Sequence, residues 1–126
     1  MSRVIAVIDD LLFLSRIREA AAGAGIEVVQ ARDQAALLAT ARPARLVLVD
    51  ADSDRIPWPQ AIAALRADPA LAEIPVVAFL SHVAADRAEI ARAAGIRRVL
   101  SRAAFVKELP GLLSAADSAR SEEKTP

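Results

Sequence analysis

The sequence predicts an α/β fold, a doubly wound five-stranded parallel sheet with helices on both faces. Three observations predict it. The runs Val4-Ile5-Ala6-Val7-Ile8 and Leu46-Val47-Leu48-Val49 are short, rich in β-branched residues and free of polar alternation, as strands covered on both faces are. Strand-like and helix-like segments alternate five times along the 126 residues. Acidic residues close two of the apolar runs, Asp9 and Asp10 after the first and Asp50 after the second. Such positions lie at the carboxyl edge of an open sheet, where α/β folds bind ligands.

Each element has its own warrant. After the first strand, Leu14, Ile17, Ala21 and Ala24 follow helical spacing, and Gly23 or Gly25 stops that helix. A short strand covers 27–31. Asp33 is a good N-cap for a helix through about Ala41, which Arg42-Pro43 ends. The third strand runs from Arg45 to Asp50, and a loop over 51–57 leads to a helix over 59–67. Pro69 and Pro75 bracket the next connection, and 74–79 is the fourth strand. Asp86 and Glu89 occupy the early turns of a helix from Ala84 to Ala94 that Gly95 closes. A fifth strand from Arg97 to Ser101 and a helix from Phe105 to Ala116 complete the set. Short connections favour right-handed crossovers, and the flavodoxin-like order 2-1-3-4-5 sets the first and third strands side by side. The expectation is a single domain over 1–118 and a disordered, polar tail over 119–126.

Composition narrows the function classes. Sixteen basic and sixteen acidic residues cancel, so no general attraction to nucleic acid or anionic membrane is expected. Cysteine is absent, which excludes disulfides and thiolate metal sites and fits a reducing compartment. No apolar run approaches the roughly 18 residues of a membrane span, and Asp9-Asp10 cut the first one too early for a signal peptide. The expectation is a cytoplasmic protein with a core of Val, Leu, Ile and Ala.

The acid trio carries the chemistry. Strands paired in a sheet lie about 4.8 Å apart, so Asp9, Asp10 and Asp50 would converge on one spot. Their mutual repulsion raises their pKa values unless a cation settles between them, and Mg²⁺ is the hard, oxygen-seeking candidate. A carboxylate there can also act as a nucleophile toward phosphorus. The structural alternative is that Asp10 caps a helix and Asp50 opens a loop, but three acids at matching strand ends weaken it.

At these residues the chain resembles the receiver domain of bacterial two-component response regulators. The resemblance spans roughly Arg3 to Leu113 and rests on Val7-Ile8-Asp9-Asp10, Leu46-Val47-Leu48-Val49-Asp50, Ile74-Pro75-Val76-Val77 and Ala93-Ala94-Gly95. It implies that Asp50 is the phosphoacceptor and that Asp9 and Asp10 hold Mg²⁺, with the backbone carbonyl of Asp52 as a further ligand. It also implies a histidine kinase or other signalling protein as partner, docked on the segments from Ala84 to Ala94, Arg97 to Ser101 and Phe105 to Ala116. Catalysis would be limited to self-phosphorylation and dephosphorylation of Asp50, and signalling would pass in trans because no output domain follows.

The departures from the family pattern cluster on its switch. Leu80 stands where the family has a hydroxyl at the end of the fourth strand, and Ser81 follows one position later. Arg102 and Ala103 replace the Lys-Pro that ends the fifth strand, and Val99 replaces the switch aromatic. Arg102 and Ser81 are the remaining candidates for contact with phosphate. These changes resemble those of atypical, or pseudo-receiver, members, for which a phosphate-independent interaction module is the alternative function.

His82, the one histidine, is read as a loop residue rather than a donor to the acid cluster, and Trp58 as packing over the loop. Arg97, Arg98 and Arg102 form a basic cluster near the fifth strand, and the two that alternate along it are expected to meet solvent. Asp50-Ala51-Asp52-Ser53 also looks like the D-x-D of haloacid-dehalogenase-type phosphohydrolases, yet the chain is too short for that cap and core. A flavin would want a hydroxyl- and glycine-rich phosphate loop in place of Asp9-Asp10-Leu11-Leu12, and the G-x-S-x-G of serine hydrolases is absent.

Overall fold

The computed structural model describes residues 2–81 and 85–124. Along the chain come β1 (Ser2–Val7), α1 (Leu11–Gly23), β2 (Ile26–Gln30), α2 (Gln34–Thr40), β3 (Ala44–Asp50), α3 (Trp58–Ala67), β4 (Val76–Leu80), α4 (Ala85–Ala94), β5 (Arg98–Ser101) and α5 (Arg102–Lys124). The five strands form one sheet in the order β2-β1-β3-β4-β5, and every pairing is parallel. The expected fold class and strand order therefore hold.

The two faces of the sheet are set by the two-residue period of its strands. Ile5, Val7, Val47, Val49, Ala78 and Leu80 point to the side of α2, α3 and α4, where Leu37, Ile62, Leu65 and Ala91 meet them. Val4, Ala6, Leu46, Leu48, Val77 and Phe79 point to the side of α1 and α5, against Leu14, Ile17, Phe105 and Leu113. Both faces being covered, the strands need no polar alternation, which is why their sequences read as continuous apolar runs.

Element ends depart from expectation in physically readable ways. β1 begins at Ser2, whose hydroxyl donates to the Asp117 carboxylate at 2.9 Å. α5 starts at Arg102 rather than Phe105, because the Ser101 hydroxyl accepts the Ala104 N–H at 3.1 Å and lets strand and helix abut without a loop. It also continues to Lys124 through the stretch expected to fray, where no glycine or proline interrupts it before Pro126. Among the described residues no helix is long and apolar enough to cross a membrane.

Candidate functional site

Parallel pairing of β1 with β3 sets Val7 against Val49, so Asp9, Asp10 and Asp50 leave the sheet side by side, as expected. Asp9, Asp10 and Asp50 line one shallow cleft of about 290 Å³, together with Ser53, Asp54 and Arg55. Each acid has a distinct local task. Asp10 caps α1: one of its oxygens accepts the N–H groups of Leu12 and Phe13, both at 3.1 Å. Asp50, the last residue of β3, is only 5% exposed. Its Oδ1 accepts the Asp52 N–H at 2.9 Å, which turns the chain out of the strand and leaves Oδ2 free of backbone partners among the described residues. Burial raises the Asp50 pKa above its ordinary value, and the Asp52 and Asp10 carboxylates push the same way. The Asp52 N–H and the Arg102 guanidinium oppose the rise.

Arg102 stands among these acids. Its terminal nitrogens lie 3.6 Å from Asp10 Oδ2, 3.7 Å from Asp50 Oδ2 and 3.8 Å from Asp52 Oδ2. The guanidinium carbon sits 4.8 Å from the centre of the Phe13 ring and 5.2 Å from that of Phe79, so two aromatic faces back the cation. Its Nε is buried and has no hydrogen-bond partner. Arg102 is thus in the acid pocket, while Arg98 pairs with Glu108.

Other arginines complete the edge. Asp9 accepts from Arg32 at 2.6 Å through one oxygen and faces Arg55 at 3.7 Å through the other. Arg87 of α4 donates to the Ala51 carbonyl at 2.9 Å and to Asp54 at 2.8 Å, tying α4 to the loop after β3. The sequence reading missed Arg32, Arg55, Arg87 and Asp54. A signal for Arg32 existed: it follows β2, the neighbour of β1, at the same edge.

The structure adds to the roles expected of several residues. The Asp52 carboxylate also enters the site and accepts the Ser81 N–H at 2.6 Å. Ser81 is accordingly tied in through its backbone, and its side chain is exposed. Leu80 is 4% exposed and packs into the core on the α2–α4 side of the sheet, and Val99 packs against the same cluster. Trp58, expected to pack over the loop, is instead buried in that core. His82 and Ala84 lie outside the described residues.

The fit of a divalent ion can be judged from the donors. Among the described residues, no group of three acidic, histidine or cysteine side chains is disposed to hold a metal ion. Both oxygens of Asp9 face arginines, Asp10 spends one oxygen on its helix, and a guanidinium occupies the space between Asp10, Asp50 and Asp52. In this arrangement arginines engage the donors, which does not fit Mg²⁺.

No family model matches the chain, and no curated protein does. Solved structures do match. A two-component response regulator from Legionella pneumophila aligns with a TM-score of 0.79 at 15% identity, covering 94% of this chain and 99% of its own. The chemotaxis response regulator CheY4 of Vibrio cholerae aligns at 0.73 and 21% identity, over 92% of this chain and 98% of its own. The Mn²⁺-bound form of the response regulator Rcp1 aligns at 0.69 and 18% identity, over 94% and 93%. The chain therefore has the fold of CheY-like response regulator receiver domains.

Proposed function

We propose that this chain is a receiver-type signalling domain of a two-component phosphorelay, with Asp50 as its phosphoacceptor. The observation that carries the proposal is the placement of Asp50: a buried carboxylate closing a central strand at the carboxyl edge, one oxygen held by a backbone N–H and the other facing a guanidinium. That geometry suits an acyl phosphate. Asp50 Oδ2 attacks phosphorus, the bond from phosphorus to the donor atom breaks, and the leaving group departs with the electron pair and is protonated. Arg102 offsets oxygen charge as it develops, which phosphoryl transfer needs more than covalent machinery. Catalysis goes no further than making and hydrolysing this one bond.

A histidine kinase is the proposed donor. The proposed output surface comprises α4, β5 and the first half of α5, where Ile90 and Val106 are exposed apolar side chains. A Mg²⁺ ion held by Asp9, Asp10 and Asp50 is left out of the proposal, since arginines engage those acids. A cytoplasmic location, and the absence of nucleic-acid or membrane partners, remain part of the reading.

A second reading, a phosphate-independent interaction module, is favoured by Leu80 and Val99. The first offers no hydroxyl to a phosphoryl group, and the second no ring to swing. One experiment separates the two. The protein is incubated with a small phosphodonor, with and without Mg²⁺, and intact mass is measured with Asp50→Asn as control. One added phosphoryl group, absent in the variant, supports phosphorelay; no addition under either condition leaves the interaction module.

A further inference from the structure

We infer that Arg102 is a built-in cation of the acid pocket and takes the place of a dissolved divalent ion there. The charge pattern of the whole edge supports this. Five carboxylates, Asp9, Asp10, Asp50, Asp52 and Asp54, face four guanidiniums, Arg32, Arg55, Arg87 and Arg102, at 2.6 to 3.8 Å. The chain thus nearly neutralises its own acid edge, with Arg102 serving three of the five.

The residue type suits the task. A planar guanidinium spreads its charge over a fork and can face several carboxylates at once, where an ammonium is a compact point. Its position is also prepared. Arg102 is the first residue of α5 and follows β5 directly, so backbone on both sides fixes where its side chain begins. The rings of Phe13 and Phe79 then support the head. With Nε unbonded, the orientation is set by those rings and by the three acids. A tethered cation loses no translational freedom on entering the site, whereas Mg²⁺ must give up tightly held water. An incoming ion would also meet a positive charge already seated between its would-be ligands, a repulsion strongest where water is excluded.

The inference rests on the ion pairs and not on phosphorylation of Asp50, and its test needs neither. Mn²⁺ and Mg²⁺ are titrated into the full chain, and amide resonances of Asp10, Asp50 and Asp52 are followed alongside calorimetry. The wild type is expected to show no saturable heat and no site-specific Mn²⁺ broadening up to millimolar ion. Arg102→Gln is expected to gain binding by roughly tenfold or more, and Arg102→Lys to fall between. Sub-millimolar binding by the wild type would overturn the inference, and so would equal affinity in wild type and Arg102→Gln. Should Arg102→Gln not fold, the wild-type Mn²⁺ titration decides alone. Asp50 labelling that requires Mg²⁺ would sink the inference and leave the phosphorelay intact; metal-insensitive amides with no labelling would do the reverse.

Discussion

At the scale of single residues, Asp50 sets the terms. Burial is the main reason its carboxyl binds a proton more tightly in the folded protein than in the unfolded chain. Its contribution to stability therefore falls as pH rises from the ordinary value of 3.8 through the raised folded one. Above that window the buried charge is a net cost. Asp50→Asn keeps an acceptor for the Asp52 N–H and removes the charge. It is expected to raise the thermal midpoint at neutral pH by a few degrees, as about 1 kcal/mol does in a domain of this size. The gain should vanish in acid below the ordinary value, which calorimetry across pH will read. The convergence of Asp9, Asp10 and Asp50 was legible because strand ends and strand order fix it. What faces those acids was legible only in part. The family resemblance put Arg102 at the site, and Arg32 follows the strand beside β1 at the same edge. Arg55 and Arg87 come from separate places in the chain, and ion pairs so distant in sequence leave no local pattern.

At the scale of elements, junctions matter more than interiors. Arg66, near the end of α3, donates from Nε to the Gly95 carbonyl at 2.9 Å and from one terminal nitrogen to the Ala72 and Ile74 carbonyls, both at 2.7 Å. It thereby ties α3, the turn after α4 and the approach to β4. Gly95 has φ +106°, and a Cβ there would lie 2.6 Å from Arg66 Cγ. Gly95→Ala is expected to cost roughly 1–3 kcal/mol in urea unfolding, from the backbone conformation and from displacement of that arginine. Glycine was legible as a helix stop; its role as a seat for Arg66 was not, since it depends on a side chain 29 positions away. Within α5, Pro110 lacks the N–H that the helix would use. Pro110→Ala should therefore raise helicity and thermal midpoint, by circular dichroism. The same helix shows why boundaries were misread: Ser101 both ends a strand and caps the helix, so no loop residue announces the change.

At the scale of the whole molecule, the alternation of apolar runs with helical spacing was enough to give sheet, order and layers. Both faces must be covered, and few chain paths do that with short connections. The three phenylalanines were less readable. Phe79 of β4 lies 4.6 Å from both Phe13 of α1 and Phe105 of α5, centre to centre, and joins sheet and two helices beneath Arg102. Phe79→Ala is expected to cost about 3–5 kcal/mol of unfolding free energy and to release Arg102 from its aromatic backing, read by urea titration and arginine side-chain resonances. A different consequence follows from Trp58. The chain has one tryptophan and no tyrosine, and that indole is buried at the first turn of α3, next to the segment bearing Asp52 and Arg55. Near-ultraviolet emission therefore originates from one chromophore at the end of the loop that follows β3, and rearrangement of that loop can be followed optically in the unlabelled protein.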